Sequence, residues 1–506
     1  MHSSQNEQDN RHYARFTRIP CLDPADSQEA KDFTLAAIEL SEKFDTPVIL
    51  RLTTRICHTS TPVITDIQRK HPDLPLVYPR NPAKYVMIPG NARKRHPVIE
   101  KRIIEIAEYA ESYPLNRIEK RSQSLGIITS GVAYQYAREV FPDASILKLG
   151  MVYPMPKNSI LNFSKIVDQL IVLEELDPFI EEQVRLMGVK LYSAPDNNGR
   201  DGYYVNKKSI FPICGELDPG IVRKSAIEAG LLPEEEIAEN PTVVNDLPMR
   251  PPVLCPGCPH RSTFYPLHKL GLPINGDIGC YTLGVIPPLS AIDTCGCMGA
   301  SIGVAHGAAV AGDNERHIAV IGDSTFFHTG IPALINVAYN KSNVITIILD
   351  NRTTGMTGHQ ENPGTGSTLQ GLETVEVDIE ALVRAIGIKQ VKTIDGYDIK
   401  EIEQTLKIWL KLDEPAVLIA QHECALLPAE RRKWMSLDVL SEVCNGCGLC
   451  FRIGCPAILE SEELDAKYLR PLAIIDPVLC TGCEICAQIC PRDAILFRDQ
   501  ISVGGE

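Results

Sequence analysis

Long apolar runs are missing from this 506-residue sequence. None approaches the ~20 consecutive residues needed to cross a bilayer, which speaks against membrane-spanning helices. A basic excess is missing too. With 50 Lys and Arg against 64 Asp and Glu, the net charge is -14, so neither nucleic acid nor an anionic membrane is expected as a main partner. The opening MHSSQNEQDNRHY is polar and mixed in charge and does not read as a secretory signal. No low-complexity tract is found, and no internal repeat beyond two cysteine motifs. What remains is 44% hydrophobic and 23% charged, an ordinary soluble composition. The length suits roughly three to five domains.

Cysteine is abundant and unevenly placed. Of 17, eight fall between Cys444 and Cys490 and five between Cys255 and Cys297; Cys21, Cys57, Cys214 and Cys424 stand apart. In a large cytosolic chain such clusters bind metal more often than they form disulfides. The tail holds CNGCGLCFRIGCP from Cys444 and CTGCEICAQICPR from Cys480. Each is a triplet with two-residue gaps followed by a Cys-Pro, the arrangement that wraps an iron–sulfur cubane. Paired CxxC motifs also hold zinc, but two triplets with two Cys-Pro favour iron. The first motif has four residues, not three, before its last cysteine.

Upstream, the residues alternate between short apolar strands and helical stretches. LGIITSG, SILKLG and QLIVLEE (about 100–225) read as strands of a parallel sheet in an α/β layer. Residues 1–65 contain a helix, SQEAKDFTLAAIELSEKFD, and a β-rich run, TPVILRLTT. HPDLPLVYPRNPAKYVMIPGNARKRHP (71–97) reads as a linker, and the acidic, Pro-rich stretch 233–252 as a boundary.

The richest glycine motifs lie in 253–430. RHIAVIGDSTFF, GIPALINVAYNKS and NVITIILDN read as strand, helix and strand, which places Asp323 and Asn351 at carboxyl ends of parallel strands, where open sheets bind ligands. Their side-chain oxygens and a nearby carbonyl are hard donors suited to Mg²⁺ beside a phosphate. Gly322 and Ser324 leave backbone N–H groups at a helix start for that phosphate. CPGCPHR, GDIGCYTLG and DTCGCMGASIGVAHG surround the same region; the small residues from Gly296 to Gly307 allow close backbone approach, or simply a tightly packed helix start.

GDS, twenty-five residues, then DN resembles the thiamine diphosphate signature. That resemblance gives Asp323, Asn351 and the Thr353 carbonyl to the metal, and Gly322, Ser324, Gly355, Met356, Cys280 and Tyr281 to the cofactor's surroundings. The tail resembles a bacterial two-cluster ferredoxin domain. This implies crossed ligation: Cys444, Cys447, Cys450 and Cys490 hold one [4Fe–4S] cluster, and Cys480, Cys483, Cys486 and Cys455 the other. With GDSTFFHTGIPALINVAYN, LDNRTTGMTGHQENPGTG and the irregular cysteine motif, the whole chain resembles the large (alpha) subunit of indolepyruvate ferredoxin oxidoreductases.

The resemblance implies an α/β multidomain protein. It comprises part of a pyrimidine-binding thiamine domain (1–65), a transketolase C-terminal-like α/β domain (66–232), a thiamine diphosphate and Mg²⁺ domain (253–430) and an α+β two-cluster ferredoxin domain (435–500). The implied reaction is CoA-dependent oxidative decarboxylation of an arylpyruvate to an aryl-acetyl-CoA and CO₂. Electrons pass through the clusters to ferredoxin, in a reducing cytoplasm and with a small (beta) subunit as partner. Cys255, Cys258, Cys280 and Cys424 are either ligands of a third cluster or four reduced thiols. SSQNEQDNR resembles a late part of the pyrimidine domain, so the Glu that promotes ylide formation is not expected in this chain, and Glu7 does not match its motif. The expectation is a start at an internal Met, with a chain inactive by itself; a separate polypeptide carrying the missing half is the other course. His328 and His359 are proton-transfer candidates or ordinary packed histidines. Competing readings are an oxidoreductase for a non-aromatic 2-oxoacid, a non-oxidative thiamine decarboxylase of the sulfopyruvate or phosphonopyruvate type, and an electron-transfer subunit with a degenerate thiamine site. The cluster tail argues against the decarboxylase, which exports no electrons.

Overall fold

The computed structural model describes residues 7–65, 80–192, 210–233, 251–313 and 315–498. The chain forms two compact units, Met1–Val244 and Asn245–Glu506. Residues 3–6 of the SSQNEQDNR segment, 71–79 of the expected linker and 234–250 of the expected boundary lie outside the described residues.

In the first unit, strands Ser122–Ser130, Ala144–Leu149 and Gln169–Leu173 run parallel, as the apolar runs suggested. A fourth, Arg117–Glu119, is antiparallel at the edge; its sequence RIE carries too little pattern to be read. The expected helix spans Ser27–Phe44, and the Asp26 side chain accepts from the Glu29 N–H at its start. Two expectations fail. TPVILRLTT gives only a two-residue strand, Ile49–Leu50, before the chain turns into helix Thr54–His58. The supposed linker contains a 22-residue helix, Pro89–Ala110. Pro89 sits in its first turn, where a missing N–H does no harm, and Ile106 and Ala110 bury its far end.

Residues 1–65 do not stand apart from the layer that follows. Cys21–Leu22 pairs with Met151–Tyr153. Two buried charge groups tie the pieces together: Arg11 with Asp9 and Glu174, and Lys148 with Glu29.

The second unit is built on a six-stranded parallel sheet. Its order across is Gln390–Asp395, Ala416–Gln421, Ile345–Asp350, Ile318–Gly322, Ile274–Gly276, Thr294–Cys295. Because side chains alternate along a strand, each central strand feeds two cores. Val320, Ile347, Leu349 and Leu418 face helices His260–Leu270 and Ile399–Trp409. Ala319, Ile321, Ile348 and Ile419 face helices Ala300–Val310, Ile331–Tyr339 and Ile379–Ile386. Both faces covered is why these strands read as unbroken apolar runs. The tail adds two antiparallel pairs, Leu437–Val439 with Ile495–Phe497 and Ile458–Leu464 with Pro471–Ile475. Its core packs on Tyr265, Tyr397 and Ile399 of the sheet domain.

Candidate functional site

Strands Ile318–Gly322 and Ile345–Asp350 lie side by side and parallel, with Gly322 opposite Leu349. Their carboxyl ends therefore deliver Asp323 and Asn351 to one place. Asp323 opens a helical turn that runs through a π-helical segment, Phe326–Gly330, into helix Ile331–Tyr339. The Asn351 amide oxygen lies 3.2 Å from Asp323 Oδ1 and 3.0 Å from the Thr353 carbonyl oxygen. Three acceptors converging with no donor between them repel one another unless a cation sits among them. A turned-over amide would instead donate to both, so the occupant of the site decides its orientation. Adjacent corners of an octahedron with Mg–O bonds of 2.0–2.1 Å are about 3 Å apart, so the donor set fits Mg²⁺. Burial, and then the neighbouring Asp350 carboxylate, push the Asp323 carboxyl above the usual carboxylate range; a bound cation would reverse this.

Several residues missed in the sequence hold the ligands in place. Asn362 Nδ2 donates to Asp323 Oδ2 at 3.0 Å. Asp350 accepts from Gln421 Nε2 at 2.7 Å. Thr354 Oγ1 donates to Ser324 Oγ at 3.0 Å. Asp277, fully buried, accepts from the backbone of Gly299 at 2.9 Å and Ser301 at 3.1 Å, fixing the start of helix Ala300–Val310. The available signals were the Asn in HQENPGTG and the Asp in GDIG, but a single polar residue in a glycine-rich stretch has no partner legible in sequence.

Tyr281, expected among the cofactor's surroundings, lies directly beneath Gly322. It is buried, its hydroxyl donates to the Ile278 carbonyl at 3.0 Å, and its ring lies under Gly322, where a Cβ would come within 2.6 Å of it. It is the floor of the GDS turn. Gly355 lies against Asn351 and 3.6 Å from Cys280 Sγ, measured from the Cβ it lacks. Met356 and His328 are exposed. His359 Nε2 lies 3.7 Å from Cys424 Sγ.

The four upstream cysteines are brought together. Burial, then the Cys424 and Cys255 thiols, push Cys280 up to about 11. Burial also raises Cys258, whose thiol neighbours are Cys424 and Cys255. This group adjoins the candidate metal site, since the Cys424 N–H donates to the Asn351 carbonyl at 3.0 Å.

In the tail, one cavity is lined by Cys444, Cys447, Cys450 and Cys490 and by no other cysteine. Burial and then Cys444, Cys447 and Cys490 push the Cys450 thiol up to about 11. Burial raises Cys483 likewise, to about 11, with Cys455 and Cys480 as its thiol neighbours. Burial raises Cys486 well above its ordinary value, followed by the thiols of Cys483, Cys455 and Cys480 and then Cys450. The grouping is crossed between the two motifs, and both groups fit cubane clusters. Among the described residues no helix is long and apolar enough to cross a membrane.

Comparison with known proteins agrees with these pieces. Residues 277–420 match the thiamine pyrophosphate enzyme, C-terminal TPP binding domain, and 473–496 the 4Fe-4S binding domain. Among solved structures, a 2-oxoglutarate:ferredoxin oxidoreductase from Magnetococcus marinus covers 37% of this chain and 71% of its own. Its TM-score is 0.32 at 18% identity, too low to carry an argument. Curated relatives are far nearer. Indolepyruvate oxidoreductase subunit IorA of Archaeoglobus fulgidus is 38% identical over 98% of this chain and 79% of its own length, and that of Pyrococcus horikoshii 39% over 98% and 80%. A thiamine pyrophosphate domain and a 4Fe–4S domain in one chain, matched over nearly its whole length, make this an oxidoreductase subunit that belongs to the indolepyruvate oxidoreductase IorA family.

Proposed function

We propose that this chain is the thiamine- and cluster-carrying subunit of an arylpyruvate:ferredoxin oxidoreductase that forms aryl-acetyl-CoA and CO₂, working with a smaller partner subunit. The observation that carries the reading is the convergence of Asp323, Asn351 and the Thr353 carbonyl beside the cysteine group. Those three would hold Mg²⁺, with Gly322 and Ser324 presenting backbone N–H groups to the diphosphate. Thiamine diphosphate, when bound, supplies the carbanion-stabilising ring that decarboxylation of a 2-oxoacid needs. The chain's own contribution is positional: Asn362 orients Asp323, Thr354 braces Ser324, and Tyr281 supports the turn.

Cys255, Cys258, Cys280 and Cys424 would hold a third cluster next to the site, and the two tail groups a [4Fe–4S] cluster each. Clusters held there would supply one-electron carriers between the site and ferredoxin, which would account for the tail. The names of the relatives favour an indole-bearing substrate. The test is a CoA-dependent, anaerobic assay of ferredoxin or viologen reduction by the chain with its small subunit. Indolepyruvate and phenylpyruvate should far outpace pyruvate and 2-oxoglutarate; equal or reversed rates would sink the aromatic assignment.

A further inference from the structure

Arg261 closes the CPGCPHR motif, and the functional reading above leaves it unused. Its side chain is among the largest fully buried ones, a rare place for arginine unless it is paired. Among the described residues no carboxylate pairs with it. Instead Nε donates to the Cys255 carbonyl at 3.1 Å, Nη1 to the carbonyls of Ile453 at 2.9 Å and Gly454 at 2.6 Å, and Nη2 to the Leu254 carbonyl. A guanidinium does not give up its proton in a protein, so a permanent positive charge sits in this interior. Burial opposes that charge, and the sulfurs of Cys455, Cys258, Cys255 and Cys483 favour it. Two of these belong to the cysteine group beside the thiamine site and two to the second tail group.

The loops carrying those sulfurs touch. Gly257 has φ +68°, and a Cβ there would collide with the Thr481 side chain of CTGC. Tyr397 donates its hydroxyl to the Gly257 carbonyl at 2.7 Å and lies near both Cys483 and Cys258. The arginine's grip falls on Ile453 and Gly454, two of the four residues that make the Cys450–Cys455 spacing irregular. The irregular spacer is therefore one of the places where the tail is fastened to the sheet domain.

We propose that Arg261 is a positioning and charge-tuning residue of the electron exit: it anchors the Cys450–Cys455 spacer, holds Cys455 against the CPGC loop, and stabilises the reduced state of the clusters flanking it. The proposal rests on the iron–sulfur reading above. Reduction adds one negative charge to a cluster, and a fixed cation in a water-poor interior favours that state. Arg261 itself is neither oxidised nor reduced.

The experiment is an EPR-monitored redox titration of the holoenzyme. In Arg261→Gln, which is neutral but can still donate, the cluster of Cys455, Cys480, Cys483 and Cys486 should shift to lower potential, and by more than the Cys444 cluster does. Arg261→Lys keeps the charge but cannot span four carbonyls. Its potential should stay near wild type while an iron chelator strips the cluster faster; this variant keeps the proposal testable if the glutamine variant does not accumulate. Unmoved potentials in Arg261→Gln, or wild-type chelator resistance in Arg261→Lys, overturn the proposal. A wild type without a cluster at those four cysteines overturns the iron–sulfur reading and this proposal with it.

Discussion

The backbone N–H of Cys424 donates to the carbonyl of Asn351 across 3.0 Å. One hydrogen bond thus ties a cysteine of the upstream group to a ligand proposed for the metal. Strand Ala416–Gln421 runs parallel to Ile345–Asp350 in register, so the two chain segments leave the sheet together and their loops stay paired. The candidate metal site and the upstream cysteine group are thus built onto the same carboxyl end of the sheet.

Asn362 donates to Asp323 Oδ2, the oxygen other than the one facing Asn351. Substitution Asn362→Ala should weaken Mg²⁺ binding by roughly 10–100-fold, as loss of such outer hydrogen bonds does. Titration of thiamine diphosphate binding against Mg²⁺ concentration reads this directly. An unchanged Mg²⁺ requirement would show that Asp323 does not depend on this bond.

Gly322 has φ -79°, open to any residue; the Tyr281 ring, not the backbone, forbids a side chain there. Gly322→Ala pushes a methyl to 2.6 Å from that ring and should destabilise by about 1–3 kcal/mol. Diphosphate binding should weaken with it as the turn shifts. Calorimetric unfolding measures the first effect and cofactor titration the second.

Cys455→Ala should remove the cluster of Cys480, Cys483 and Cys486 and spare that of Cys444, because its thiol neighbours are those of the second motif. EPR of the reduced protein separates the two, and loss of the Cys444 cluster alone would mean uncrossed ligation. In the same preparations Cys424→Ala should lower iron by about four atoms per chain if the upstream group holds a cubane. Unchanged iron would leave those four cysteines as thiols.

The Lys148–Glu29 pair sets an acid limit on the first unit. Burial works against the charge of both partners and lowers the Lys148 ammonium. For Glu29, burial is outweighed by Lys148 and Arg117, and its carboxyl is held below the ordinary value of 4.5. A carboxyl depressed on folding stabilises above its unfolded value, and that stability is lost as pH falls below it. Melting temperature should therefore drop below pH ~4.5, and less so in Glu29→Ala. At neutral pH that variant should be destabilised by about 3–5 kcal/mol, because it strands a buried lysine, and Glu29→Ala with Lys148→Met should recover part of the loss. A single variant with wild-type stability would contradict this.

Local chemistry in the sequence went a long way. Apolar runs ending in glycine marked the strands Ser122–Ser130, Ala144–Leu149 and Ile318–Gly322, because a buried parallel strand needs no partner to look like one. The spacing of GDS and DN and the two cysteine triplets pointed to the cofactors, since ligands supplied by one short loop leave their geometry in the residue count. The supposed linker shows the limit. Prolines at 89 and 97 suggested a break, yet tertiary burial of Ile106 and Ala110 sustains a helix through both.

What only the tertiary structure decided are relations between distant segments. Asn362 reaches Asp323 across 39 residues, and Arg261 reaches Gly454 across 193; neither leaves a period or a spacing to count. The extra residue before Cys455 looked in sequence like an oddity of one motif. Folded, the lengthened spacer supplies the Ile453 and Gly454 carbonyls to a buried arginine. Sequence determines which atoms can bond, but only the packed chain brings a donor and an acceptor so far apart within about 3 Å, because burial takes water away as a partner and each must find its bonds within the protein.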